Sequence, residues 1–205
     1  MSAAGAAAVI SLGMSGSAMA QGENFHDYFW AALVVSGEVS EGTFSEDLDG
    51  FILESSVGLG DYAFFRARVD NYQFDDGIDI ALDMQELGIG GHYPVVAGPV
   101  TLSPWGALSY ERHSFGGEVF DGYSINLGLR ARFLDGDLEA GLRLKTGEIS
   151  DDDFDLDLDA WELMIAYRVI EKLDIVLNYN NVEYSEGSDS IDFDDIVGLG
   201  VRFRY

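Results

Sequence analysis

Three histidines and no cysteine limit the covalent chemistry open to this chain. A thiol nucleophile, a thiolate metal site and a disulfide framework are all excluded. One stretch, Glu111-Arg112-His113-Ser114, puts a base beside a hydroxyl. A base activates a hydroxyl only within hydrogen-bond reach, and adjacent residues on a strand point to opposite faces. His113 and Ser114 therefore do not read as a catalytic pair, and neither a catalytic residue nor a cofactor is expected.

Metal chemistry has one candidate, the run Asp151-Asp152-Asp153-Phe154-Asp155-Leu156-Asp157-Leu158-Asp159. Carboxylates suit hard cations such as Ca²⁺ or Mg²⁺, and Asp151, Asp152, Asp153 and Asp155 would be the ligands. The run lacks the glycine and terminal glutamate of a Ca²⁺ loop, so it reads as a solvated acidic loop without a metal. With 37 acids against 11 bases the net charge is -26, which would repel nucleic acid.

The bases are few, yet their spacing is regular. Arg66 and Arg68, Arg130 and Arg132, Arg143 and Lys145, and Arg202 and Arg204 each stand two residues apart, with apolar residues at the alternate positions; Arg168 has the same setting. A period of two is the signature of a strand with unlike faces. The run from Tyr123 to Phe133 is the clearest case. Tyr123, Ile125, Leu127, Leu129, Ala131 and Phe133 share one face, and Ser124, Asn126, Gly128, Arg130 and Arg132 share the other.

Reading the whole chain this way gives ten strands, with eight as the alternative count: 28–39, 50–59, 62–74, 80–93, 100–114, 122–134, 137–149, about 161–169, 173–179 and 195–205. The first is apolar on both faces and shows no inside. Between strands, short connections (Gly60-Asp61, 94–99, Asp135-Gly136, 170–172) alternate with longer, mostly acidic ones (40–49, 150–159, 185–192). Asp135-Gly136 fits a two-residue type I′ hairpin turn.

Glu54, Asp70, Glu86, Glu139, Glu162 and Asp174 fall on the same face as the bases. A soluble barrel would turn apolar groups inward and charge outward. Both signs gathered on one face instead predict a lumen filled by ion pairs, built from Arg66, Arg68, Arg130, Arg132, Glu139, Arg143, Lys145, Glu162, Arg168, Arg202 and Arg204, while the apolar face meets lipid. Ten steps from Tyr123 to Phe133 make about 33 Å of strand; tilted by about 40°, they rise about 25 Å, the height of a barrel's apolar band.

At the N-terminus, an apolar stretch from Ala6 to Met14 precedes Ala18-Met19-Ala20 and Gln21. This is the pattern of a secretory signal peptide, residues 1–20, cleaved after Ala20 and followed by one barrel domain, 21–205. The chain finishes Val201-Arg202-Phe203-Arg204-Tyr205. Val201, Phe203 and Tyr205 resemble the closing strand of Gram-negative outer-membrane β-barrels, which their assembly machinery reads. With the Asp-Gly-aromatic strand openings at Asp49-Gly50-Phe51 and Asp121-Gly122-Tyr123, the mature chain resembles the small outer-membrane barrels of the OmpA/OmpX-like group, with ten strands where those have eight. The resemblance implies an all-β, transmembrane, up-and-down antiparallel β-barrel in the outer membrane. It also implies a monomer, contact with outer-membrane lipid and lipopolysaccharide, and delivery by the barrel assembly machinery. The function expected is structural or surface-interactive and non-enzymatic. A narrow cation-preferring pore, an outer-leaflet enzyme acting on lipid A or peptides, and a secreted soluble barrel binding a small ligand are the alternatives.

Overall fold

The computed structural model describes residues 25–42, 44–74, 81–151, 154–187 and 189–205; the signal-peptide residues Ala18, Ala20 and Gln21, and Asp152 and Asp153, lie outside them. Eleven strands follow one another: β1 (Tyr28–Glu41), β2 (Phe44–Gly58), β3 (Ala63–Phe74), β4 (Ala81–His92), β5 (Val95–Ala97), β6 (Val100–Phe115), β7 (Glu118–Phe133), β8 (Leu138–Ser150), β9 (Asp155–Ile170), β10 (Leu173–Glu186) and β11 (Asp189–Arg204). Every pairing is antiparallel. β5 is a three-residue strip that folds back on the start of β6. The other ten form a ring, closed by β4 against β6 and by β1 against β11, from Tyr28 opposite Arg204 to Ser40 opposite Asp192. The strand count is therefore ten. Among the described residues closure gives every ring strand a neighbour on both sides, as a backbone in hydrocarbon requires.

Strand tilt follows from the register. From Ser40 the chain of opposing residues runs through Asp192, Glu183, Asp159, Thr146, Ile125, Leu108, Ile89 and Phe65 to Val57, next to the residue opposite Tyr28. That is a stagger of roughly twelve residues, which tilts ten strands by about 40°.

Both described termini lie at the end with the short turns. There Asp135 (φ 55°, ψ 30°) and Gly136 (φ 90°) have the positive φ of a type I′ turn, and Asp137 N–H donates to Leu134 O at 3.1 Å.

At the other end the acidic connections are not loops. β1 runs to Glu41 and β2 starts at Phe44, β9 starts at Asp155, and β10 and β11 reach Glu186 and Asp189. The expected loops 40–49, 150–159 and 185–192 are largely strand because their alternation persists with its polarity exchanged. On β9, Asp155, Asp157 and Asp159 point out while Leu156 and Leu158 point in. Sixteen residues make about 50 Å of strand and rise about 40 Å, so the wall extends roughly 15 Å past a 25 Å apolar band.

Candidate functional site in the barrel lumen

The register stacks the inward side chains in three layers. At the short-turn end, Glu139 accepts from Arg132 Nε at 2.8 Å and from Arg202 Nη1 at 2.7 Å. Asp174 accepts from Arg202 Nε at 2.7 Å and from Arg204 Nη2 at 2.6 Å. These residues come from β7, β8, β10 and β11, so the pairs stitch together strands far apart in sequence. Arg168 stands at the rim, 3.5 Å from the half-exposed Asp137. The segment ahead of β1 folds into this mouth. Arg130 Nη1 donates to Phe25 O at 2.6 Å, and the Arg132 guanidinium lies 3.9 Å from the centre of the Phe25 ring. His26 stacks on Phe64 at 3.7 Å, with His92 4.6 Å away. Burial, then the charge of Arg130 and the neighbouring His92, hold the His26 imidazole well below its ordinary pKa.

The middle layer is the densest in charge. Arg66 Nη2 donates to Glu54 Oε2 at 2.6 Å, and Arg143 Nη2 donates to Glu86 Oε2 at 2.8 Å. Lys145 Nζ sits 2.8 Å from both Glu86 and Glu111. Arg68 donates through Nε to Asp70 at 2.8 Å and, across the lumen, through Nη1 to Glu162. Tyr28 donates to Glu54, while Trp30 and Trp105 fill space against Arg68 and Arg66. All of these carboxylates except Glu162 are buried, and each meets a cation directly. Breaking such a pair strands its partner, which is far costlier than losing a surface pair.

Above it lies an apolar plug. Leu48, Leu82, Phe120, Ile149, Leu158, Val182, Phe193 and Ile196 are buried together. Beneath them Glu111 meets His113 Nε2 at 3.1 Å, and His113 Nδ1 meets the Tyr184 hydroxyl at 2.8 Å. The neighbour that matters to His113 is therefore Glu111, two residues away on the same face, and not Ser114. Both ring nitrogens are engaged, under a roof of aliphatic and aromatic side chains.

The outer surface inverts this arrangement. Leu87, Ile89, Leu108, Ile125, Leu127, Leu129, Leu142, Leu144, Leu163, Ile165, Ile175, Leu177, Leu199 and Val201 are exposed around the wall. Water would penalise that much contiguous apolar surface, and hydrocarbon requires it. Where the apolar belt meets the acidic upper wall, Tyr110 and Tyr123 lie 5.8 Å apart and Trp161 and Tyr179 5.1 Å apart, an interfacial girdle. At the opposite edge Tyr62 stacks on Tyr93 at 5.8 Å. A closed, even-stranded antiparallel ring, apolar outside and charged within, meets every requirement of a Gram-negative outer-membrane wall.

The chain is a small outer-membrane β-barrel protein.

No protein-family model matches it, and no curated protein does. Among solved structures it is similar to Neisserial surface protein A, with 14% identity over 87% of this chain and 97% of that one, and a TM-score of 0.45. It is similar to the outer membrane protease OmpT from Escherichia coli, with 13% identity over 88% and 98% and a TM-score of 0.45. It is also similar to the KdgM porin, with 10% identity over 85% and 99% and a TM-score of 0.38.

Among the residues singled out from the sequence, Arg66, Arg68, Arg130, Arg132, Glu139, Arg143 and Arg202 are buried in the lumen. Lys145, Glu162 and Arg204 also point inward, with side chains 9%, 13% and 13% exposed. Val201 and Phe203 face outward, and Tyr205 donates to Ser56 O at 2.7 Å, tying the chain end across β1 to β2. Asp151 accepts from Phe154 N–H at 2.7 Å, and Asp155 opens β9 with its side chain exposed. The residues that sequence reasoning missed are Tyr184, the second partner of His113, and the lumen aromatics Trp30 and Trp105. An inward aromatic carries no mark in a sequence whose outward face is equally aromatic.

Proposed function

We propose that this barrel is a sealed, monomeric outer-membrane anchor whose outer end is a rigid acidic surface for contact with the cell's surroundings. The observation that carries the reading is the lumen itself. Its cross-section is occupied in succession by the Glu139–Arg202–Asp174 cluster, the Glu54–Arg66–Glu86–Arg143 cluster and the apolar plug around Phe193 and Leu158. An ion crossing it would have to break several buried pairs and then displace packed side chains, each a costly step.

The same packing supports a non-enzymatic role, because His113 is held between Glu111 and Tyr184 beneath that plug. The belt of exposed leucines is the surface offered to outer-membrane lipid and lipopolysaccharide. The terminal Phe203 and Tyr205 are the residues offered to the barrel assembly machinery.

Conductance of the refolded protein in planar lipid bilayers tests the proposal. A silent membrane at neutral pH is expected. Stable, cation-selective current steps would overturn the sealed lumen in favour of a narrow pore.

A further inference from the structure

Between the lowest and middle layers lies a small cavity of about 20 Å³, bordered by Arg66, Arg130, Arg143, Trp105, Glu54 and Glu162. Three N–H groups on these residues, Arg66 Nε, Arg143 Nη1 and Trp105 Nε1, are buried without a hydrogen-bond partner among the described residues. The three side chains are themselves more than nine-tenths buried. No acceptor atom on a residue bordering this cavity is in the same position.

The asymmetry points to the kind of guest. Buried donors left unmet are costly, most of all on guanidinium groups, and here all the unmet groups are donors. A water molecule accepts two hydrogen bonds and would have to turn its own hydrogens to Glu54 or Glu162. A monatomic anion accepts from all three donors and brings none.

The border carries three guanidinium groups and two carboxylates, and Arg66 and Arg143 also share Glu86 just beyond it. Glu54 is already engaged by Arg66 and Tyr28, and Glu162 by Arg68. A cavity of this size takes a single small guest. The wall is shaped for the indole that supplies the third donor. A Cβ on Gly128 would stand 2.3 Å from Trp105 Cε2 and 2.4 Å from Nε1, so only glycine lets the ring lie there.

We propose that the lumen binds one halide ion, chloride in a cell, between Arg66, Arg143 and Trp105, as a structural ion that completes the core. The proposal is independent of whether the barrel conducts, since it concerns one site within the ion-pair network.

Two measurements test it. The protein is refolded in detergent with sodium bromide, crystallised, and measured at the bromine absorption edge. An anomalous peak within hydrogen-bond reach of the three donors is expected; a peak confined to the surface, or ordinary water density in the cavity, overturns the proposal. In parallel, the unfolding midpoint of the detergent-folded barrel is followed as chloride replaces sulfate at constant ionic strength. Saturable stabilisation by chloride is expected, with the half-saturating concentration raised about tenfold in Trp105→Phe, which keeps the ring and removes one donor. No difference between chloride and sulfate in the wild-type protein overturns it without recourse to the variant.

Discussion

Replacing Glu139 by glutamine removes a charge from the lowest lumen layer while leaving its shape. The wild-type carboxylate receives two charge-assisted hydrogen bonds, from Arg132 and Arg202, and lies 3.9 Å from Arg130. Each such bond is worth about 1.5 to 3 kcal/mol, and an uncompensated buried cation costs about 3 to 5 kcal/mol. Glutamine still accepts one bond through its carbonyl, but its amide nitrogen faces a guanidinium donor. Arg202 keeps Asp174, which moderates the loss. Glu139→Gln should therefore destabilise the barrel by about 3 kcal/mol. The matched control is Asp137→Asn, which removes the half-exposed partner of Arg168 and should cost no more than about 0.5 kcal/mol. Urea titrations of folding into lipid vesicles would compare the two variants directly. Equal costs would refute the view that the lumen layer behaves as a buried network.

Leu127 is outward and exposed in the apolar belt, so Leu127→Arg should cost about 2 to 4 kcal/mol in the same titration; a cost below 1 kcal/mol would place it outside the hydrocarbon. Its neighbour Asn126 accepts from Arg143 and donates to Ser109 and Ser124, so Asn126→Arg should be at least as damaging, through overpacking and a new unpaired cation beside Arg143. His26 is buried neutral with its pKa depressed, so its contribution is intact above the unfolded value near 6.5 and is lost as pH falls below it, by about 1.4 kcal/mol per unit. Proteolysis of the segment ahead of β1 should accelerate between pH 6.5 and 5, and a His26→Phe variant should lose that dependence. Gly200 lies on the seam between β1 and β11, where a Cβ would fall 2.0 Å from Ala31 O; Gly200→Ala should slow barrel closure, visible as loss of the heat-modifiable compact band on gels.

The wall was legible wherever outward residues are apolar and inward ones charged, as on β7 from Tyr123 to Phe133. The reading failed where that contrast vanishes. On β1, Trp30, Ala32 and Val34 point inward although they are as apolar as Phe29, Ala31 and Leu33 outside, because this part of the lumen is packed with aromatic and aliphatic groups. At 47–49 and 155–159, acids outside and leucines inside look like polar loop to an eye set for the opposite pattern. The inward charges could be assigned to a face but not to partners. Arg68 pairs with Glu162 and Arg202 with Glu139 across the lumen, and such pairs depend on stagger, which alternation along one strand does not encode.

The exchange of polarity along β9 has a consequence for how the barrel rides in its bilayer. Between Asp159 and Trp161 the outward face changes from carboxylate to aromatic in a single step of the pleat, and the same boundary recurs at Asp121 and Tyr123 on β7 and at Asp49 and Phe51 on β2. Sinking by one such step would carry carboxylates from several strands into hydrocarbon together, and rising by one would lift the aromatic ring into water. Such a wall works as a depth gauge. Its immersion is set by sequence to within a few ångströms, so a thicker or thinner membrane must deform to meet the protein.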